Sequence, residues 1–137
     1  MLMKYSSIFI DKNIEPMEII ELYHSVGWGK SNDYSESAIS LVIINTTSII
    51  YVRNEEGVLV GMVRILSDSV ITTYIAEVLV RKEYQRTGIG RSMIEKAKAQ
   101  FKNTSIYLDT LPGIEVFAEK CGFVKRDGMS VFSKHSA

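Results

Sequence analysis

The stretch Val78-Leu79-Val80-Arg81-Lys82-Glu83-Tyr84-Gln85-Arg86-Thr87-Gly88-Ile89-Gly90-Arg91-Ser92-Met93 decides how this chain is read. It opens on apolar residues suited to a strand and breaks at a polar run holding two glycines. It then leads into Ile89, Met93, Ile94, Ala97 and Phe101, an apolar series at helical spacing. The first N–H groups of such a helix have no intrahelical acceptor, and the helix dipole adds positive potential there. Gly88 and Gly90 carry no Cβ, so an anion can approach the backbone closely. The turn is therefore expected to cradle a phosphate.

Two common phosphate motifs do not fit. The run lacks Gly-x-x-x-x-Gly-Lys-Ser/Thr, and it lacks the third glycine of the dinucleotide fingerprint. Its strand also follows other strands instead of opening a β-α-β unit. Working outward, residues 48–53 and 58–66 are rich in β-branched residues and flank Asn54-Glu55-Glu56-Gly57, a hairpin signal. Asp68-Ser69 breaks the chain again before residues 72–80, so three strands form an antiparallel meander. Upstream, residues 5–10 predict a first strand. Pro16 opens a helix that ends at Gly27 and Gly29, and Ser35 caps a second helix stopping near Asn45. Downstream of the helix at 88–101 come a short strand at 106–108, a helix at 113–120 and a last strand or pair of strands within 123–132. The order β-α-α-β-β-β-α-β-α-β predicts an α+β fold with a mixed, mostly antiparallel sheet flanked by helices. With 137 residues, 46% hydrophobic and 23% charged, and no repeat or linker, residues 1–137 read as a single domain.

Net charge is zero, but its distribution is uneven. Residues 1–68 hold five Lys or Arg against nine acids, whereas residues 81–102 hold seven against two. A local excess of five positive charges around the Gly-rich turn suits a polyanionic ligand. A chain with no overall basic excess and no reader motif is not expected to bind nucleic acid. One cysteine, Cys121, and two histidines leave neither a disulfide nor a zinc ligand set, so no metal is expected and a reducing, cytoplasmic setting fits. Apolar runs stay far below the about 20 residues of a membrane span, and no leader pattern opens the chain, so no membrane association is expected.

Gln85, Gly88 and Gly90 resemble, in place, the Gln/Arg-x-x-Gly-x-Gly/Ala signature of the GNAT superfamily of N-acetyltransferases. Val78-Leu79-Val80 is similar to that family's pantetheine-side strand. Glu119-Lys120-Cys121-Gly122-Phe123 is similar to the Tyr-Glu-Lys-x-Gly-Phe run that ends its last helix. The resemblance covers essentially the whole chain. It implies a three-layer α/β/α fold and direct transfer of an acetyl group from acetyl-coenzyme A to a primary amine. It also implies that Val78, Leu79 and Val80 lie along the pantetheine, with a backbone N–H near Leu79 or Val80 meeting the thioester carbonyl. Gln85, Arg86, Thr87, Gly88, Ile89, Gly90, Arg91 and Ser92 would form the cofactor loop, the amides of residues 86–91 holding the pyrophosphate. A homodimer accords with the same resemblance.

The chain departs from that family at the acid. Ala118, after Phe117, stands where a tyrosine is usual, and Thr110-Leu111-Pro112 replaces a frequent asparagine. Glu77, beside the expected thioester position, is the candidate proton acceptor, and Tyr107 on the next strand the candidate group near the thiol. Tyr74, three residues before Glu77, falls on the opposite face of a regular strand and on the same face only if a bulge intervenes. Cys121 reads as a buried structural thiol and His24 as a surface or packing residue. Trp28 and Tyr34 can line the acceptor site, since aromatic faces suit a cationic amine. Acids in the N-terminal half favour a small-molecule amine or polyamine over a protein amine. The alternative, motivated by Ala118, is an acyl-coenzyme A sensor or assembly module with little turnover.

Overall fold

The computed structural model describes residues 7–29 and 33–134; residues 5 and 6 of the expected first strand and residues 30–32 of the connection between the first helices lie outside these. The elements are β1 (Ser7–Ile10), α1 (Pro16–Ser25), α2 (Glu36–Asn45), β2 (Ser48–Arg53), β3 (Leu59–Ser67), β4 (Thr72–Val80), a 3-10 turn (Lys82–Tyr84), α3 (Ile89–Gln100), β5 (Ser105–Leu108) and α4 (Glu115–Lys120). The five strands lie side by side in chain order, antiparallel except for the parallel pair β4 and β5. This is the expected mixed sheet.

Sequence patterns account for the layers. β2 lies inside the sheet with both faces covered, which is why Ile49, Ile50, Tyr51 and Val52 form one apolar run. Ile49 and Tyr51 join Ile19, Leu22, Tyr23, Ile39 and Ile43 of α1 and α2 on one face. Ile50 and Val52 join Ile89, Met93, Ile94 and Ala97 of α3 on the other, with Phe117 of α4 packed against them. α1 starts at Pro16 behind a reciprocal cap between Glu15 and Glu18, and α2 starts where the Ser35 hydroxyl accepts the Ala38 N–H at 3.1 Å. No described helix is long and apolar enough to cross a membrane.

Two features of the sheet shape the site. The β3–β4 register steps from Arg64 opposite Glu77 to Ile65 opposite Ile75, which leaves Ala76 as an extra residue in β4. The bulge turns Ile75 toward α3 while Glu77 and Leu79 face α1 and α2. β5 pairs with β4 only from Thr72 to Ile75, so beyond the bulge residues 76–80 have β3 on one side and no strand on the other. The sheet is therefore split at its β4–β5 seam.

One expected element does not form. Among the described residues nothing after α4 is a strand, so the order ends β-α-β-α and the final strand or strand pair at 123–132 is a correction. Its turn exists, with the Met129 N–H reaching the Arg126 carbonyl at 3.3 Å, but beyond Phe123 its apolar side chains Val124, Met129, Val131 and Phe132 stay exposed. Phe132 is 92% exposed. A short hairpin without a packed face gains too little to stand by itself. The helix expected at 113–120 is also shorter, because Gly113 takes φ 91° and Ile114 becomes its N-cap.

Candidate active site

The β4 edge at the split is a row of backbone groups. The Arg81 N–H reaches the Val60 carbonyl at 2.9 Å, and alternation along an antiparallel strand then turns residues 79 and 77 toward β3 and residues 78 and 80 toward the open side. Gln85 fits this direction, for its side-chain amide donates to the Val80 carbonyl at 2.9 Å. Between Leu79 and Val80, the two residues expected near the thioester, the outward N–H is that of Val80. Gln85 accordingly acts on the strand edge.

The loop after β4 is fixed by its own bonds. The Thr87 hydroxyl donates to the Tyr84 carbonyl, and Asn54 donates to the Tyr84 hydroxyl at 3.2 Å. Arg86 and Gly88 take left-handed backbone angles, φ 63° and 91°, and Gly88 is the N-cap of α3 with no side-chain cap. The first-turn amides of α3, beginning with Ile89, therefore face outward without i−4 partners. The side chains of Arg86 and Arg91 are exposed beside this turn, Ser92 is half-buried, and Ile89 is buried against Met93 and Ile94. Gly90 is buried too, and a Cβ there would sit 3.2 Å from the Phe117 ring. A strand edge with free polar groups, uncapped helix amides and two arginines fits a ligand that has amides in one part and phosphates in another. Among the described residues, no three His, Cys, Asp or Glu side chains gather as metal ligands would.

On the α1/α2 face, Glu77 lies at the centre of a polar network. Its Oε1 accepts the Tyr23 hydroxyl at 2.8 Å and the Arg64 Nε at 2.7 Å, and Arg64 also reaches the Thr46 hydroxyl at 3.4 Å. Among the described residues no hydrogen bond reaches Oε2. Burial and then the Glu77 charge hold the Tyr23 phenol far above its usual range. Tyr23 also joins the two aromatic candidates of the connection, stacking on Trp28 at 5.9 Å and tilting against Tyr34 at 5.0 Å between ring centroids. The helix ending explains this contact: Gly27 at φ 83° lets the Trp28 N–H turn back to the Tyr23 carbonyl at 2.8 Å. Tyr23 and Arg64 were missed in the sequence. Tyr23 was visible only as one apolar position of a periodic helix, and Arg64 only as one charge inside a strand.

The bulge settles Tyr74. It faces the same side as Glu77, and Tyr107 is its cross-strand neighbour on that side. The Tyr74 hydroxyl donates to Asp109 Oδ2 at 2.6 Å, which with burial pushes its phenol up to about 12. Ala118 lines a cleft of about 560 Å³ on the outer side of β5, together with Tyr107, Asp109 and Met129. Cys121 is buried at the end of α4, and burial raises its thiol. His24 lies in the last turn of α1.

Over 121 residues the chain is 29% identical to an uncharacterized N-acetyltransferase, ycf52, of Pyropia yezoensis, a match covering 84% of this chain and 68% of the relative. The fold superposes with a TM-score of 0.76 on the GNAT family acetyltransferase SP0256 of Streptococcus pneumoniae TIGR4, 21% identical, covering 94% of this chain and 98% of that one. It superposes with a TM-score of 0.69 on the aminoglycoside N-acetyltransferase AAC(6')-Iy solved in complex with CoA, 11% identical, covering 95% of each. The sequence pattern of the acetyltransferase (GNAT) family matches residues 14–123, from the start of α1 to just past α4, and the chain belongs to that family.

Proposed function

We propose that this chain binds acetyl-coenzyme A across the β4 edge and the α3 N-terminus and transfers the acetyl group to a primary amine by direct attack. The observation that carries this reading is the split beyond the Ala76 bulge, which leaves a strand edge free beside uncapped helix amides. In this reading the N–H and C=O of Val78 and the N–H of Val80 face the pantetheine, and the residue 86–91 loop with Arg86 and Arg91 holds the pyrophosphate. The amine nitrogen attacks the thioester carbonyl, the C–N bond forms as the C–S bond breaks, and the Val80 N–H stabilises the charge that gathers on the oxygen. The proton lost by the amine goes to Glu77 Oε2, and the thiolate leaving as coenzyme A takes a proton from Tyr107 or water. Tyr23 and Arg64 hold Glu77 in place through Oε1, so they are positioning residues. A small-molecule amine is favoured as acceptor because the face around Glu77 also carries Asp109 and the rings of Tyr23, Trp28 and Tyr34.

The test is thiol release from acetyl-coenzyme A over a panel of primary amines, with cofactor affinity measured by calorimetry. Turnover is expected on at least one amine, and Glu77→Gln is expected to lower kcat about 100-fold with cofactor affinity unchanged. Cofactor binding with no turnover on any amine would instead support an acyl-coenzyme A sensor. Absence of cofactor binding would remove both readings.

A further inference from the structure

On the α1/α2 face the helices reach β4 at Glu77 and Leu79, beyond the bulge, and leave the part of the sheet around Tyr74 uncovered. Beyond them lies a straight cross-strand row: Leu66 stands opposite Tyr74, and Tyr74 opposite Tyr107. These side chains are 39%, 36% and 43% exposed, and Leu41 of α2, 60% exposed, flanks the row across a shallow groove shared with Arg64 and Leu66. A sheet normally buries such a row, because uncovered apolar and aromatic surface forgoes stabilisation in proportion to its area. This row runs up to the reacting groups. Its middle member is separated from Glu77 on the same strand only by Ile75 and the bulged Ala76, and its β5 end opens into the cleft that Tyr107 and Asp109 line.

The charges beside the row select further. Glu77 and Asp109 are the acids at its edge, and among the described residues the cation there, Arg64, is committed to Glu77 at 2.7 Å. Of the cations that line the adjoining cleft, Lys125 and Arg126, Lys125 is paired to Glu115 at 3.5 Å. Apolar floor and acidic end together suit a molecule with an apolar body and one ammonium group. We infer that the Leu66–Tyr74–Tyr107 row is the acceptor floor and that the acceptor is a primary amine with an aromatic or long alkyl body. The inference rests on the acetyl-transfer reading above. The ammonium end points toward Glu77 and the split, and the body lies along the row.

The experiment measures thiol release with acetyl-coenzyme A and two sets of amines, phenylethylamine, tyramine and hexylamine against spermidine, glucosamine and lysine. The apolar set is expected to lead in kcat/KM by about tenfold or more, a difference a hydrophobic contact of this size supplies. Tyr74→Ala and the more conservative Leu66→Gln are both expected to raise KM for phenylethylamine about tenfold with kcat within about threefold. Retained acetyl-coenzyme A binding in calorimetry shows that each variant is folded. Preference for the polar set or equal use of both sets overturns this inference alone, whereas cofactor binding with no turnover on any amine removes the acetyl-transfer reading and the inference with it. A dimer that buries Tyr74 and Tyr107 in solution also overturns the inference, because the floor would then be closed. Absence of acetyl-coenzyme A binding removes the enzymatic reading, and the inference falls with it.

Discussion

Gly88 takes φ 91° at the N-cap of α3, a conformation that costs a residue with a Cβ about 1–2 kcal/mol. Gly90, two residues on, is buried with its missing Cβ directed at Phe117, 3.2 Å from the ring. The first glycine shapes the turn proposed to hold the pyrophosphate and the second lets α3 meet α4. Gly88→Glu is therefore expected to lose acetyl-coenzyme A binding by calorimetry and to lower stability by about 1–2 kcal/mol while remaining folded. Gly88→Asn, which tolerates the left-handed region, should keep both. Gly90→Leu should instead lower stability by about 1–3 kcal/mol in urea titration, by overpacking against the ring. Equal cofactor loss in all three with no difference in stability would contradict this division. The sequence showed both glycines as one phosphate signal, because a motif records which residues are present and not where an absent Cβ points. The same limit applied to Gln85, visible as part of a signature but seen only in the fold to hold the Val80 carbonyl.

Elements were more legible than their joints. The helices and strands up to α4 could be placed from apolar periodicity, β-branched runs and turn residues, but the Ala76 bulge leaves no composition signal and yet decides which side Tyr74 shows to Glu77. The final hairpin failed for the opposite reason: Asp127-Gly128 marks a turn between apolar residues, but a turn does not supply a partner face. The start of α1 shows a joint that can be tested. Glu18 closes the reciprocal cap with Glu15 and also pairs with Arg53 of β2, whose second nitrogen reaches it at 3.1 Å. The Arg53 hydrogen bond is the largest cause holding the Glu18 carboxyl below its ordinary value near 4.5, against a partial opposing effect of burial. A carboxylate whose folded value is depressed contributes stability above its unfolded value and loses it as pH falls through the folded one. Glu18→Gln keeps an oxygen for the cap but loses the charge paired with Arg53, and is expected to lower stability at pH 7 by up to about 1 kcal/mol. The gap from wild type should close as pH is taken below 4.5 in urea titrations. A gap that persists unchanged at low pH would show that the Arg53 pair does not contribute.

The whole molecule answers to alkali through tyrosines that its two layers hold in different ways. Tyr23 is raised mainly by burial and by the charge of Glu77, Tyr51 to about 12 by burial and its bond to Asp11, and Tyr74 to about 12 by its bond to Asp109 and burial. Each phenol is bonded to a carboxylate, so ionising it would set two negative charges side by side. A phenol whose folded value lies above its ordinary 10 binds its proton more tightly in the native state. Stability from these bonds is therefore full below pH 10 and declines as pH rises from 10 toward 12, where the unfolded chain ionises first. These three tyrosines tie α1 to β4, the β1–α1 connection to β2, and β4 to the residue after β5, so they span the sheet from one edge to the other. Their loss should accordingly be cooperative and not confined to one element. Titration followed by tyrosinate absorbance is expected to show phenols that ionise only as near-ultraviolet circular dichroism is lost. Tyr74→Phe should remove one of these and leave that unfolding transition in place. If all tyrosines ionised together near pH 10 with the fold intact, the carboxylate pairs, including the one that fixes Glu77 beside the split, would not persist in solution.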